Sequence, residues 1–482
     1  MKWQAPIYPG DTPLDHPREE CGVVGVYAPD SHSATLVSIG LFALQHRGQE
    51  SAGVAAADQR QIRMHTGMGL VSEAFRDGDI DGITGGLAIG HTRYSTTGAS
   101  RSANAQPLLV DGLNGPLAVA HNGNIINARQ LREQIQAQWD CTFQTSTDSE
   151  VVAHLLANAP GENWPERVFH AMARMQGAFS LALLTPDAII AVRDPLGIRP
   201  LCLGRLENGW VVASETCALD HMQAEFTREL EPGEVVVISA DGVQAAIYQD
   251  SARRGRALCV FEWIYFARPD SVMDGQLMHT AREDMGAQLA REHPVDADLV
   301  IGIPDSSTSA AVGFARESGI PFANGLVRNR YVGRTFIEPE QQRRDRGVRQ
   351  KFNPMPAVIG GKRLVVVDDS IVRGTTTPHV VDLLRRAGAA EIHLRVCAPP
   401  IKHPCYLGVD MATRGELIAA NMTIPEIREL TGADSLGYLS VRGLMDLVHG
   451  QRGGFCDACF TGNYPVPVQL ELTKQSLERA GT

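Results

Sequence analysis

The sequence predicts a protein of two differently built halves, in which a strand-rich half precedes a C-terminal half of α/β class with a parallel sheet. A chain of 482 residues is too long for one ordinary hydrophobic core, so two or three domains are expected. From Asp298 onward, apolar strand-like runs alternate with helical stretches, as is typical of a parallel sheet with crossover helices. The N-terminal half instead carries a series of short apolar runs, among them Gly177–Leu184 and Glu234–Ser239.

The composition is that of a globular enzyme. Apolar residues make up 44% of the chain and charged residues 21%, and 55 acidic against 44 basic residues give a net charge of -11. This balance gives no reason to expect a nucleic-acid or anionic-membrane partner. No apolar stretch is long enough to cross a bilayer, and residues 1–20 lack the hydrophobic centre of a secretory signal. Nine cysteines without small-scaffold spacing argue against a disulfide framework, so a cytoplasmic location is expected.

The chain changes character abruptly at Cys21, where a proline-containing leader gives way to the apolar strand over residues 21–27. A cysteine at the start of a strand is usually a small buried apolar residue. Cleavage after Glu20 would instead give Cys21 a free α-amine, whose pKa of roughly 8 lies near the roughly 8.5 of a thiol. The amine could then take the thiol proton near neutral pH, as in other N-terminal nucleophiles. The residues alone leave both roles open.

Polar, glycine-containing turns follow the next predicted elements. A helix over residues 35–46 leads into the turn RGQESAG, and a strand over residues 87–91 continues into TRYSTTG. A strand over residues 117–120 ends in His-Asn-Gly-Asn. Its Asn-Gly pair can form a hairpin turn, or it can offer an amide N–H₂ and a backbone N–H to a developing oxyanion. The segment STDSE is predicted to cap a helix that begins at Val151.

The segments CGVVGVY, QHRGQESAG, GHTRYSTTG, AHNGNI and STDSE together resemble the glutaminase domain of the N-terminal-nucleophile (Ntn) amidotransferases. The resemblance runs from Cys21 to about Ser239. It implies the family's α+β fold, an αββα arrangement of two stacked sheets flanked by helices, over residues 21–250. Residues 1–20 would then be a propeptide.

This resemblance also implies residue roles. Cys21 would attack the side-chain amide of glutamine and release ammonia, with Asn122 and Gly123 as the oxyanion-hole pair. Arg93 matches the residue that binds the α-carboxylate of glutamine, and Asp148 matches the residue that binds its α-ammonium. Such a pair of opposite charges suits a zwitterionic amino acid.

An exposed join is predicted over residues 252–256, and the clearest chemistry beyond it lies in residues 363–388. Residues 364–367 form an unbroken apolar run, as expected of a central parallel strand. Asp368 and Asp369 follow at its carboxyl end, where open α/β sheets hold ligands. The two carboxylates can accept hydrogen bonds from a sugar diol. An acidic capping turn is the plain alternative.

A glycine and threonine turn then opens a helix near Pro378, and the free N–H groups of such a helix suit a phosphate. The whole string resembles the phosphoribosyl pyrophosphate (PRPP) loop of type I phosphoribosyltransferases. The resemblance implies a parallel-sheet domain of that family over residues 257–467, followed by a tail over residues 468–482. The residues implied to bind PRPP in this loop are Asp368, Asp369, Ser370, Arg373, Gly374, Thr375 and Thr376.

A second loop at a strand end, Pro304-Asp-Ser-Ser, opens a helix at Thr308 and can be a plain helix cap. In the matching amidotransferases its serine, here Ser306, joins Asp368 and Asp369 around Mg²⁺, and a hydroxyl with two carboxylates forms a plausible hard ligand set. Residues 328–335 and 343–351 are basic and glycine-punctuated. They suit a solvated surface loop, or a lid that clamps a pyrophosphate; Arg330 and Arg334 are the predicted pyrophosphate contacts.

Four cysteines of this half form a further candidate site. Cys456 and Cys459 make a CxxC motif, which is a weak metal signal by itself. A redox dithiol is the rival interpretation, but a thioredoxin-like strand–CxxC–helix context is missing. Together with Cys259 and Cys405 they match the cluster ligands of the iron–sulfur-containing, propeptide-bearing glutamine PRPP amidotransferases. A [4Fe–4S] cluster is therefore implied by resemblance, while spacing alone allows zinc equally well.

The resemblance to glutamine PRPP amidotransferases covers the chain from Cys21 to about Pro467. It implies that glutamine, PRPP and water give 5-phosphoribosylamine, glutamate and pyrophosphate, the committed step of purine synthesis. Feedback inhibition by purine nucleotides and a homotetramer are implied by the family alone. An amidotransferase that makes an amino sugar or asparagine would lack the string VVVDDSIVRGTTT, and a non-enzymatic PRPP sensor would not need CGVVGVY or AHNGN. The presence of both sets disfavours both alternatives.

Overall fold

The structure is a computed structural model, which describes residues 21–58, 61–76, 78–94, 100–139, 141–251, 255–329, 351–411, 413–448 and 454–468. The predicted propeptide, Arg330, Arg334, most of the predicted join and residues 469–482 lie outside these ranges. Within them, no helix is long and apolar enough to span a membrane.

The N-terminal half consists of two antiparallel sheets. Its strands are β1 (Gly22–Tyr27), β2 (Ser51–Ala57), β3 (Ile62–Met68), β4 (Leu87–Arg93), β5 (Leu108–Gly112), β6 (Gly115–Ile125), β7 (Gly177–Leu184), β8 (Ala188–Arg193), β9 (Cys202–Leu206), β10 (Gly209–Ala213), β11 (Glu225–Glu229), β12 (Glu234–Ser239) and β13 (Gly242–Ile247). One sheet has the order β11–β9–β10–β1–β4–β2–β3, and the other has the order β13–β12–β8–β7–β6–β5. Side chains such as Val23, Ile89, Ala182 and Ile189 are fully buried between the sheets.

Helices cover the outer faces of both sheets. They are α1 (Ser33–Ala43), α2 (Val71–Ala74), α3 (Ala128–Trp139), α4 (Asp148–Ala157), α5 (Trp164–Met172) and α6 (Thr216–His221). Helices α1 and α6 pack on the seven-stranded sheet, and α3, α4 and α5 pack on the six-stranded sheet. The predicted αββα arrangement is thereby confirmed.

The C-terminal half is built on a four-stranded parallel sheet with the order β17–β20–β21–β22. Its strands are β14 (Leu258–Cys259), β15 (Val272–Met273), β16 (Gln276–Leu277), β17 (Leu299–Gly302), β18 (Leu326–Arg328), β19 (Phe352–Pro354), β20 (Arg363–Asp368), β21 (Glu391–Val396), β22 (Ser435–Tyr438) and β23 (Phe455–Cys456). Its helices are α7 (Met278–Glu292), α8 (Thr308–Ser318), α9 (Pro356–Ile359), α10 (Thr377–Arg386), α11 (Ile418–Asn421), α12 (Ile424–Thr431), α13 (Val441–Val448) and α14 (Ala458–Thr461). Because the strands run in parallel, the loops after β17 and β20 meet at one sheet edge, as predicted.

Three local predictions are wrong in detail. Strand β6 does not end before Asn122 but continues to Ile125, and Asn122 and Gly123 pair with Ser180 and Phe179 of β7. The Asn-Gly hairpin turn is therefore excluded. Helix α4 begins at Asp148 rather than Val151, because the Thr147 hydroxyl accepts a hydrogen bond from the Glu150 N–H at 3.4 Å and so caps the helix earlier. Helix α1 covers Ser33–Ala43 rather than residues 35–46.

Two candidate catalytic centres and a cysteine cavity

Cys21 lies directly before β1 with 5% of its surface exposed. Its thiol donates a hydrogen bond to the Tyr94 carbonyl at 3.4 Å. Burial raises the pKa of the Cys21 thiol to about 11, although the Tyr94 hydrogen bond and the Arg93 charge oppose this shift. The thiol is therefore protonated at neutral pH in the uncut chain, and a nucleophilic role requires a base beside it.

Charged groups of both signs surround this thiol. Arg93 ends β4 and is buried, with its guanidinium 3.9 Å from the Glu50 carboxylate. Asp148 begins α4, and its carboxylate accepts a hydrogen bond from the Ile125 N–H at 2.9 Å. The charges of Arg93, Glu50 and Asp148 all act on the Cys21 thiol, so one cationic and two anionic groups belong to its surroundings. This is the arrangement that a free amino acid requires.

Asn122 supplies a buried hydrogen-bond donor to the same region. Its side-chain amide nitrogen has no hydrogen-bond partner among the described residues, although the side chain is almost completely buried. Such an orphan amide is costly unless a ligand satisfies it. Gly123 follows with φ 147°, and an added Cβ would lie 2.0 Å from the Ala178 carbonyl oxygen, so only glycine fits.

The neighbouring histidines are poor candidates for the base. Burial lowers the pKa of His91 to about 3 and also lowers the pKa of His121. Both imidazoles are therefore neutral near pH 7 and poorly able to hold a proton. The His91 Nε2 lies 3.0 Å from the His121 carbonyl oxygen, and the His121 Nδ1 lies 3.1 Å from the Ser149 hydroxyl. Their contacts indicate that they organise β4, β6 and α4.

A buried charge network, which sequence reasoning missed, adjoins Cys21. The Arg47 guanidinium lies 2.5 Å from the Glu215 carboxylate and 2.6 Å from the Glu262 carboxylate, and all three side chains are fully buried. The Arg47 Nε also donates a hydrogen bond to the Cys21 carbonyl at 3.2 Å. Glu262 belongs to a π-helical turn of the C-terminal half, so this network joins the nucleophile candidate to the other half.

The predicted PRPP loop lies at the carboxyl edge of the parallel sheet, beside the loop after β17. The Ser306 hydroxyl donates a hydrogen bond to the Asp369 carboxylate at 2.5 Å, and the Ser307 hydroxyl donates one to Asp368 at 3.3 Å. Ser370 donates to the other Asp369 oxygen at 2.8 Å. Asp368 and Asp369 are both nearly buried. The two predicted loops therefore meet, and Ser307 is a contact that sequence reasoning did not single out.

The turn after these carboxylates is compact and opens α10. Gly374 has φ 66°, and an added Cβ would lie 2.3 Å from the Cδ1 of Ile418. Arg373 lies 3.7 Å from the Glu416 carboxylate, and Thr376 is buried next to the first residue of the helix. The first N–H groups of α10 point toward this edge of the sheet, as a phosphate site requires.

The four predicted cluster cysteines line one cavity, called here the cysteine cavity: Cys259, Cys405, Cys456 and Cys459. Apolar side chains, including Phe261, Leu407 and Val409, complete its wall. Burial raises the pKa of the Cys456 thiol to about 12 and that of Cys459 well above its usual value. No three His, Cys, Asp or Glu side chains in the described ranges are arranged to hold a single metal ion.

Known proteins resemble the chain over nearly its whole length. Residues 91–221 match a glutamine amidotransferase domain, and residues 271–415 match a phosphoribosyl transferase domain. The amidophosphoribosyltransferase of Synechocystis is 50% identical over 96% of this chain and 94% of its own length. That of Archaeoglobus fulgidus is 48% identical over 94% of this chain and 99% of its own length.

The chain belongs to the amidophosphoribosyltransferase family. As such it is a glutamine-dependent glycosyltransferase that transfers ammonia from glutamine to C1 of PRPP, the committed step of purine synthesis. A solved structure of the B. subtilis glutamine PRPP amidotransferase complexed with ADP and GMP superposes with a TM-score of 0.87 at 44% identity. That comparison covers 94% of this chain and 99% of the other.

Proposed function

We propose that Cys21 is the glutaminase nucleophile and that it acts after residues 1–20 are removed. The new α-amine would lie beside a thiol that burial otherwise keeps protonated. Arg93 would bind the α-carboxylate of glutamine, which would replace the Glu50 carboxylate as its partner. Asp148 would bind the α-ammonium. The observation that carries this proposal is the buried, unsatisfied amide of Asn122 within the described site.

The chemical sequence follows from these positions. The thiolate attacks the side-chain amide carbon of glutamine, and the carbonyl oxygen becomes an oxyanion that accepts hydrogen bonds from the Asn122 amide and the Gly123 N–H. Collapse of this intermediate breaks the carbon–nitrogen bond, and the α-amine returns the proton it took from the thiol to the leaving nitrogen. Ammonia is released and a thioester remains on Cys21. Water then hydrolyses the thioester to glutamate and restores the thiol.

We propose that the second centre holds PRPP at the edge formed by the loops after β17 and β20. Asp368 and Asp369 would bind the ribose hydroxyls. The turn of Ser370, Arg373, Gly374, Thr375 and Thr376 would bind the 5′-phosphate through hydroxyl and backbone N–H groups. Ammonia attacks C1, and the bond from C1 to the pyrophosphate oxygen breaks, which gives 5-phosphoribosylamine and pyrophosphate.

A divalent cation suits this second centre. Ser306, Asp368 and Asp369 supply hard oxygen donors, and hydrogen bonds already join the Ser306 hydroxyl to Asp369 and the Asp369 N–H to the Asp368 carboxylate. Because only two carboxylates take part, we propose that Mg²⁺ is held jointly by them and the pyrophosphate, whose charge it would neutralise. Arg330 and Arg334 are proposed to contact the pyrophosphate, although both lie outside the described residues.

We propose that the cysteine cavity holds a [4Fe–4S] cluster. Four thiols, which come from three separate segments, surround one largely apolar space, and the Leu407 N–H donates to the Cys405 sulfur at 3.4 Å. Four cysteine ligands suit such a cluster. A bound cluster would cross-link the three segments that provide the thiols.

The remaining proposals concern organisation and regulation. We propose a propeptide over residues 1–20, a glutaminase domain over 21–250, a phosphoribosyltransferase domain over 257–467 and a tail over 468–482. A homotetramer in the cytoplasm, inhibited by purine nucleotides, is proposed from the family. The ADP and GMP in the B. subtilis complex support the nucleotide part of this proposal.

A pair of assays tests the division of labour. Cys21→Ala is expected to abolish glutamine-dependent synthesis of phosphoribosylamine while synthesis from added ammonia continues. Loss of both activities in a folded variant would contradict two separate centres. Intact mass together with iron and sulfide analysis of anaerobically purified protein tests two further proposals, the removal of residues 1–20 and the [4Fe–4S] cluster. We expect a chain that begins at Cys21 with about four iron and four sulfide per chain; retained residues 1–20, or zinc in place of iron, would refute the corresponding part.

A further inference from the structure

We propose that residues 405–408, Cys-Tyr-Leu-Gly, are the positioning element of the glutaminase oxyanion hole. This inference rests on the proposed roles of Asn122 and Gly123 and adds residues of the other half to that site. The four residues, called here the positioning loop, begin at a cysteine of the cysteine cavity and end against β6.

The first contact is a hydrogen bond to the strand that carries the oxyanion-hole pair. The side-chain amide of Asn124 donates to the carbonyl oxygen of Tyr406 at 2.8 Å. Asn124 directly follows Gly123 on β6, so the hydrogen bond is made one residue beyond the proposed oxyanion donor. The position of that donor therefore depends on a carbonyl that belongs to the C-terminal half.

The second contact is a direct approach of two glycines. An added Cβ at Gly408 would lie 3.1 Å from the carbonyl carbon of Gly123 and 3.2 Å from its Cα. Gly408 also has φ 110°, which other residues rarely adopt. The Nη2 atom of Arg199 lies closer still, 2.8 Å from that Cβ, so Gly408 is enclosed by the Arg199 guanidinium and by the backbone of Gly123. Movement of the loop is therefore transmitted to Gly123.

Arg199, which lies in the segment between β8 and β9, makes the third contact. Its guanidinium is fully buried and donates two hydrogen bonds to the Leu407 carbonyl, at 3.2 and 2.6 Å. Its own carbonyl accepts a hydrogen bond from the Ser180 hydroxyl at 3.2 Å, and Ser180 pairs with Asn122 across β6 and β7. The positioning loop is thus linked to both proposed oxyanion donors.

These contacts predict a particular kinetic effect. Oxyanion donors act mainly on the transition state, so their displacement lowers kcat more than it raises KM. Arg93 and Asp148, which are proposed to bind the two ends of glutamine, are not among the contacts of the positioning loop described above. A general loss of packing would instead reduce stability and both activities together.

Gly408→Ala tests the proposal, with Gly242→Ala as the matched control. Gly242 has a similar φ of 102° but no atom within 4 Å of an added Cβ, so it reproduces the backbone strain without the contact. We expect Gly408→Ala to lower kcat for glutamine hydrolysis on the order of 10- to 100-fold. KM for glutamine should change by less than about 3-fold, and ammonia-dependent synthesis and iron content should match those of the control.

Asn124→Ala provides a second variant that does not strain the loop backbone. It removes the hydrogen bond to Tyr406 and should shift kcat in the same direction by a smaller factor, and it decides the question where Gly408→Ala does not fold. A kcat for both variants equal to that of Gly242→Ala would overturn the proposal, as would parallel losses in the two activities. A wild-type protein without glutamine-dependent synthesis would refute the proposed function instead, so the two failures are distinguishable.

Discussion

Replacement of Arg47 by methionine is the sharpest test of how the two halves are held together. Arg47 lies between the carboxylates of Glu215 and Glu262, and all three side chains are fully buried. In the variant, the Glu215 carboxylate retains its contact with the His46 Nε2 at 2.7 Å and the hydrogen bond it accepts from the Ser271 hydroxyl at 2.6 Å. Glu262 loses its two hydrogen bonds from Arg47. The guanidinium of Arg199 stays 3.9 Å from Glu262.

The expected cost is large because a buried charge loses its partner. Removal of one member of a buried ion pair typically costs about 3–5 kcal/mol, and methionine restores only part of the packing. Burial by itself raises the pKa of Glu215, but the charges of His46 and Arg47 outweigh burial and hold this pKa well below its usual value. Glu215 therefore contributes stability above its unfolded pKa of about 4.3, and this contribution is lost as the pH falls through the folded pKa. The difference between wild type and Arg47→Met should shrink in that acidic range.

The assay is urea unfolding followed by tryptophan fluorescence, at neutral pH and near pH 4. Arg129→Met is the matched control, because Arg129 forms an exposed pair with Glu133 at 3.3 Å and such pairs contribute at most about 0.5 kcal/mol. The prediction is refuted where Arg47→Met costs no more free energy of unfolding than Arg129→Met, or where its deficit grows as the pH is lowered.

Three further outcomes are expected. The first concerns alkylation of Cys21 by iodoacetamide in the chain that retains residues 1–20, measured by peptide mass mapping. The alkylation rate should rise about tenfold per pH unit up to the thiol pKa of about 11. A rate that levels off near pH 8 would contradict a buried, protonated thiol. Asp369→Asn should lower kcat/KM for PRPP by about 100-fold, or about 2.7 kcal/mol, while glutamine hydrolysis without PRPP is retained, and equal losses would speak against its assignment. Gly374→Ala should cost about 1–3 kcal/mol of stability and raise KM for PRPP, because the added Cβ would meet Ile418. Its control is Gly361→Ala, where φ is 72° but the space around an added Cβ is open, and which should cost about 1 kcal/mol.

The C-terminal sheet was largely predictable because its signals are local. Strand β20 extends the apolar run that was predicted over residues 364–367 by one residue at each end. An apolar run that is buried on both faces and ends in carboxylates or glycine is compatible with few secondary structures other than a central parallel strand. The placement of the two loops at one edge follows from parallel pairing alone, and the hydrogen bond between Ser306 and Asp369 confirms it.

The long-range contacts could not be predicted in this way. Arg47 meets its carboxylate partners 168 and 215 positions away in the chain, and nothing in the RGQESAG turn specifies them. The Asn-Gly pair of β6 is a strong turn signal by itself, but pairing with β7 satisfies its backbone in a strand and overrides that preference. Local patterns give propensities, and tertiary pairing decides between them.

Two short segments that each begin at a cysteine of the cysteine cavity contact the proposed glutaminase site. Cys259 precedes Glu262 by three positions, and Glu262 holds Arg47, whose Nε donates to the carbonyl of the proposed nucleophile. Cys405 begins the positioning loop, which ends against Gly123. The proposed nucleophile and the proposed oxyanion donor are thus each connected to a segment that begins at a cysteine of the cysteine cavity. Loss of the proposed cluster should therefore disturb the glutaminase site as well as the segments that provide the thiols.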